Sequence, residues 1–324
     1  MSWLVTGGAG YIGSHVVRAL ASAGIAPVVL DDLSTGLDKF IPSDVPFVRA
    51  SILDHGDVVA ALRDYGVTGV IHCAGYKFAG ESVKYPLHTF EQNVEGTRVL
   101  LAAMAEAGVT KLVFSSSAGV YGTPSTAVVT EETGTFPESP YGETKLIGEW
   151  LIRDQVRATA ESEAPLKATS LRYFNVVGSA HMDVWDASPH NLLPKVFARI
   201  VDGQPPVIAG TDYPTPDGTC VRDYVHVQDL ALAHIAAAEA LDEGKELEPI
   251  YNLGSGDGSS VRQIMEAIVK ATGTDLPIEE GPRRPGDPAS IVAKGELAAR
   301  DLNWKMRYSV DEMVASLWAA HPKA

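Results

Sequence analysis

The first half of the chain alternates short apolar runs with amphipathic stretches. Trp3-Leu4-Val5-Thr6 reads as a buried strand, and helical periodicity follows over 14–23. Pro27-Val28-Val29-Leu30 and Phe47-Val48-Arg49 predict two more strands, with a helix near 57–65. The alternation continues with a strand over 69–74, a helix over 94–107 and a strand over 111–114. A long helix over about 141–161 and a strand at Lys167–Tyr173 complete the half. Apolar strands joined to helices by short connections imply a parallel sheet covered on both faces. Ligands on such sheets sit beyond the carboxyl ends of the strands. Gly7, Asp31, Gly75, Ser117 and Asn175 each fall just past a strand, so one crevice is predicted.

After Asn175 the segments shorten and Pro and Gly become frequent, with loops over 210–218 and 281–288. Helical runs remain at 227–241 and 261–271, with a strand-like 250–254 between them. The pattern predicts a dinucleotide-binding domain over 1–175 and a smaller substrate lobe over 176–324, the chain returning to the sheet around 227–254. The fold class is α/β, a Rossmann-type doubly wound parallel sheet with a smaller C-terminal α/β lobe.

Between the first strand and the first helix lies Gly7-Gly8-Ala9-Gly10-Tyr11-Ile12-Gly13. Gly7 and Gly10 permit a tight turn and close approach of backbone to a pyrophosphate, and Gly13 lets the helix pack on the sheet. The second strand ends in Asp31-Asp32, placed to meet adenosine ribose hydroxyls and to repel a 2′-phosphate. NAD is therefore expected rather than NADP.

Further on, Ser115-Ser116-Ser117 precedes Tyr141-Gly142-Glu143-Thr144-Lys145. Four residues is about one helical turn, so the phenol and the ammonium share a face. A cation nearby favours phenolate and draws a Tyr towards use as a general base.

The 324 residues carry a formal charge of −15, which argues against nucleic acid and means that an anionic substrate must be held by local cations. Mean hydropathy is +0.03, ordinary for a globular protein. No apolar stretch approaches the ~20 residues of a membrane span, and no secretory leader is read after Met1. Cys73 and Cys220 are far apart and His72 and Cys73 point to opposite faces of a strand, so a reducing cytoplasm and no metal are expected.

These residues resemble the extended short-chain dehydrogenase/reductase family, and within it the UDP-glucose 4-epimerase branch. The resemblance spans nearly the whole chain. It rests on the Gly7–Gly13 turn, Ala74-Gly75-Tyr76-Lys77, Gly80-Glu81-Ser82-Val83, Asn93-Val94-Glu95-Gly96-Thr97, Ser115-Ser116-Ser117 and Tyr141-Gly142. Downstream it rests on Leu171-Arg172-Tyr173-Phe174-Asn175, Val221-Arg222-Asp223-Tyr224, Tyr251-Asn252-Leu253-Gly254 and Arg284-Pro285-Gly286-Asp287. It implies NAD-dependent interconversion of UDP-glucose and UDP-galactose through a 4-keto intermediate, with NAD regenerated each turnover, and a homodimer built on helices near 94–107 and 141–161.

The same resemblance implies a catalytic set of Ser117, Tyr141 and Lys145. Tyr141 takes the O4′ proton, Ser117 shares the relay, and Lys145 lowers the Tyr pKa and holds the nicotinamide ribose. The implied cofactor contacts add Gly7, Gly10, Tyr11, Ile12, Gly13, Asp31, Asp32, Leu33, Ser34, Thr35, Gly36, Ser51 and Ile52. Cys73, Ala74, Gly75, Lys77, Asn93 and Phe174 complete them. Implied substrate contacts are Ser117, Tyr141, Asn175, Asn191, Leu192, Val207, Arg222, Tyr224, Arg284 and Asp287. Fork-shaped cations such as Arg222 and Arg284 independently suit a diphosphate.

Several positions depart from the family. Ser51 stands for an Asp that meets adenine, Cys73 for an aromatic, Val176 for Pro, and Ala209 for a bulky residue near the uracil. Ile291 stands where side-chain size governs room for an N-acetyl group. Sugar-nucleotide dehydratases place acids, and decarboxylases a Glu, where Ala118 and Gly119 follow Ser117 here. A net dehydrogenase uses the same Ser-Tyr-Lys set and stays open. UDP-N-acetylglucosamine or UDP-glucuronate epimerisation also stays open, whereas a non-catalytic NAD sensor has no need of the set.

Overall fold

The computed structural model describes residues 1–283 and 288–322. Among them one parallel sheet is built from β1 (Ser2–Thr6), β2 (Ala26–Asp31), β3 (Phe47–Arg49), β4 (Gly69–His72), β5 (Lys111–Ser115), β6 (Lys167–Tyr173) and β7 (Ile250–Leu253). Its order is β7-β6-β5-β4-β1-β2-β3. The chain runs outward from β1 to β3 and then restarts on the other side of β1 at β4. That reversal places a crevice at the carboxyl ends of the strands.

β1, β2, β4 and β5 are largely apolar because both faces of the sheet are covered. Helices α1 (Tyr11–Ser22), α2 (His55–Asp64), α3 (Gly96–Ala107), α4 (Pro140–Thr159), α5 (Leu192–Val201), α6 (Val227–Asp242), α7 (Val261–Thr272) and α8 (Val310–Ala320) do the covering and build the second lobe. On one face Val16, Val17 and Leu20 of α1 interlock with Ala231, Ile235 and Ala238 of α6. The small side chains of α6 allow close approach, which is why this helix is buried on nearly every side. On the other face Leu62 of α2 and Leu100 and Met104 of α3 pack over Leu4 and Val70.

Local sequence sets the ends. Asp54 caps α2 by accepting from Asp57 N, and Gly108 ends α3 in the left-handed region at φ 74°. Ser139 and Pro140 start α4. Some boundaries differ from those predicted. Helix α1 begins at Tyr11 rather than 14, because the turn ends in an extended Gly10. Strand β4 stops at His72, where the chain turns into Gly75 at φ 144°. Helix α3 starts at Gly96 after a π-helical turn over Glu91–Glu95.

The second lobe packs α5, α7 and α8 around Phe197, Ile264, Met265, Ile268 and Leu317. Two pairings bind the halves of the chain: Val128–Val129 runs beside Ser290–Ala293, and β7 runs beside β6. Helix α6 and β7 thus lie with the sheet although they follow the start of the second lobe in sequence.

Candidate active site

The turn after β1 packs directly against the loop after β4. A Cβ on Gly7, which has φ 71°, would stand 2.7 Å from Ala74 N, and one on Gly13 would stand 2.1 Å from Gly7 O. Only glycine fits either place. Gly10, Tyr11, Ile12 and Gly13 line the crevice at the start of α1, where unpaired N–H groups and the helix dipole favour an anion. Asp31 ends β2 beside this turn. Its Oδ2 accepts from Ala9 N at 3.0 Å and its Oδ1 from Leu33 N at 2.8 Å. Burial raises its pKa, and the two backbone donors partly offset the rise. This backbone cradle and its acid fit the diphosphate and ribose of a dinucleotide.

Ser117, Tyr141 and Lys145 meet on the same crevice. Ser117 leaves β5 in extended geometry, and its Oγ accepts from Gly119 N at 3.0 Å. Its side chain also lowers the Tyr141 pKa against the rise that burial gives it. Lys145 Nζ donates to Ser115 O at 2.9 Å and lies 6.0 Å from the Tyr141 ring centre. Burial lowers the Lys145 pKa to about 8. For Tyr141 the outcome differs from the expected downward shift: burial raises its pKa, and the Ser117 side chain offsets that only in part. The physical reason is burial, which disfavours the phenolate, while Lys145 Nζ donates to Ser115 O.

The walls are held from behind. Asn93 Oδ1 accepts from Tyr76 N at 2.6 Å, and Asn93 Nδ2 donates to Tyr76 O and to Thr144 Oγ1. Asn93 thus anchors the Tyr76 loop, and it stands directly behind Gly75 of the crevice wall. Ser51 and Leu33 also lie off the lining. Ser51 Oγ instead accepts from Leu53 N, closing its own turn, and Leu33 sits at φ 61° beside Asp31.

The remaining cofactor expectations, from Gly7 through Phe174, line the crevice, Cys73 and Ile52 among them. On the second-lobe side it is lined by Asn175, Asn191, Leu192, Val207, Ala209, Arg222 and Tyr224. Arg284 and Asp287 lie outside the described residues. Residues that sequence reasoning left unassigned also line it: Tyr76, Phe78, His88, Asp186, His190, Lys195 and Arg199. Of these, Tyr76 stood in a recognised motif without a role, and Lys195 and Arg199 carried a readable signal as cations one turn apart on α5. The cavity holds about 1180 Å³, room for a dinucleotide and a second ligand together. Among the described residues no cluster suits a metal ion.

Comparison with known proteins agrees with this geometry. The model of the NAD dependent epimerase/dehydratase family matches residues 3–254. The chain is 42% identical over 331 residues to a UDP-glucose 4-epimerase of Lactobacillus helveticus, covering 100% of this chain and 98% of that one. A UDP-glucose 4-epimerase from Brucella ovis, solved in complex with NAD, superposes with a TM-score of 0.91 at 38% identity, covering 97% of this chain and 96% of the other. One from Bifidobacterium longum, in complex with NAD+ and UDP, superposes at 0.88 with 36% identity, covering 99% and 98%.

Proposed function

The chain belongs to the NAD dependent epimerase/dehydratase family, and from that premise we propose that it interconverts UDP-glucose and UDP-galactose by transient oxidation at C4′. Gly7, Gly10 and Gly13 hold the cofactor's diphosphate, and Asp31 its adenosine ribose. Bound NAD would supply the hydride acceptor for C4′, the donor for its return, and a positive charge. Tyr141 removes the O4′ proton as the C4′ hydride departs, leaving a 4-keto sugar. Ser117 donates to O4′ and keeps the sugar oxygen within reach of the phenol. Lys145 orients the nicotinamide ribose. After the sugar turns over, Tyr141 would give the proton back to O4′ as the 4-keto group is reduced.

One observation carries the choice of epimerisation over elimination. A side chain at position 119 would begin 3.3 Å from Ser117 Oγ and 3.7 Å from Tyr141 Cε1, and this chain has glycine there. No acid stands beside the Ser–Tyr pair at 118 or 119 to protonate a leaving hydroxyl. The test is to give the purified protein UDP-galactose and follow UDP-glucose and NADH together. Conversion with no sustained rise in NADH is expected. A stoichiometric, continuing rise would identify a net dehydrogenase instead.

Arg222 and Lys195 supply cations for the diphosphate, and Asn191 a polar contact beside them. A homodimer is proposed on the face of α4. There Phe136 is 76% and Trp150 46% exposed, beside a groove lined by Phe90, Pro137, Leu146 and Ile147. Sedimentation of the protein and of a Trp150→Glu variant tests it, with a monomer expected from the variant. Cytoplasmic residence and a place in galactose metabolism complete the proposal, the former supported by two free cysteines.

A further inference from the structure

Two rings reach each other across the crevice from opposite lobes. Phe78, from the loop after β4, and His190, from the loop before α5, stand 4.7 Å apart between ring centres. The row continues to Tyr76, 5.3 Å from Phe78, and to His88, 5.0 Å from Tyr76. All four line the cavity that holds Ser117, Tyr141 and Lys145.

Each end of the contact is held by a buried polar group. On the first-lobe side, Asn93 grips both backbone groups of Tyr76 and ties them to Thr144, whose Oγ1 donates to Tyr141 O at 2.8 Å. Just past Phe78, Ser82 Oγ accepts from Tyr141 N at 3.1 Å. Phe78 is thus bracketed by two attachments to the catalytic Tyr. On the other side buried Asp186 accepts from Ser188 N at 3.0 Å and from Asn191 Nδ2 at 2.7 Å. Ser188 Oγ in turn accepts from His190 N at 3.2 Å.

We propose that Phe78 and His190 form a clasp over the mouth of the crevice that retains the 4-keto sugar between its oxidation and its reduction. The inference rests on the epimerase reading above. Once the C4′ hydride and the O4′ proton have left, the sugar has no covalent tie to the protein. If it diffuses away before the hydride returns, the chain is stranded with reduced cofactor. A single ring pair is weak enough to open for substrate and product in every cycle, and its closure excludes water in between.

The experiment uses the full-length, NAD-loaded protein and its Phe78→Ala, His190→Ala and Phe78→Tyr variants with UDP-galactose. It measures epimerised product, keto sugar captured in solution by a hydroxylamine reagent, and protein-bound reduced cofactor. In each Ala variant, captured keto sugar per epimerisation is expected to rise about tenfold, as loss of one ring contact allows. Activity should then decay as reduced cofactor builds up, while Phe78→Tyr stays near the unaltered chain. A merely structural role would lower the rate without raising that ratio. An unchanged ratio in both Ala variants overturns the clasp and leaves the epimerase reading intact. Failure of the unaltered chain to epimerise overturns both.

Discussion

Arg172 and Glu149 meet in a two-pronged ion pair, Nε to Oε1 at 2.9 Å and Nη2 to Oε2 at 2.6 Å, with 3% and 5% of the side chains exposed. Glu149 lies one turn beyond Lys145 on α4, and Arg172 lies on β6. Ser116 Oγ also donates to Glu149, and Arg172 Nη1 donates to Tyr121 Oη at 3.0 Å. The pair fastens the helix that carries Tyr141 and Lys145 to the sheet beneath it.

Removing one partner of such a pair strands the other charge in the interior. Glu149→Leu is expected to lower unfolding free energy by about 3–5 kcal/mol, whereas Glu149→Leu with Arg172→Met should recover most of the loss. Urea titration of the three proteins checks this. A single variant as stable as the starting protein would show that the pair does not hold α4 down.

Tyr141→Phe keeps the ring and its packing and removes only the proton-carrying oxygen. The variant should still purify with NAD and should lose about 10²–10⁴ of its epimerisation rate. A rate near that of the unaltered chain would remove Tyr141 from the chemistry.

Buried neutral histidines predict acid sensitivity. His234 Nδ1 faces Leu230 O at 2.9 Å, and a carbonyl only accepts, so Nδ1 carries the proton and Nε2 accepts from Ser115 Oγ at 2.8 Å. Burial lowers the His234 pKa to about 4 and that of His72 to about 3. The unfolded chain, with His near ~6.5, binds more protons than the folded one over this interval. The stability these groups contribute is complete above the unfolded value. For His234 it is lost as pH falls from there towards 4, by up to about 1.4 kcal/mol per pH unit. Unfolding free energies at several pH values should slope accordingly, and His234→Gln should flatten the slope. Parallel slopes for the two proteins would contradict the assignment.

Cofactor choice follows from Asp31. Both its oxygens are fixed by the backbone donors of Ala9 and Leu33, so the carboxylate cannot swing away from a 2′-phosphate. Reconstitution with NADP is expected to restore little of the activity that NAD restores. Equal recovery with either would refute the role given to Asp31.

The sequence by itself determined what depends on neighbours along the chain. Gly7 to Gly13, Asp31 and the Tyr141-to-Lys145 spacing are local patterns, because strand ends, tight turns and a helical turn each span only a few residues. The apolar runs likewise specified the covered parallel sheet. Tertiary structure decided the rest. Asn93 was read as a cofactor contact, and folding also makes it the anchor of the Tyr76 loop on Thr144. The cation spaced to lower the Tyr141 pKa points instead to Ser115 O, and burial, which no spacing encodes, raises that pKa. Phe78 and His190 are unremarkable residues far apart in the chain. They become partners only because the fold brings the loop after β4 and the loop before α5 to one crevice.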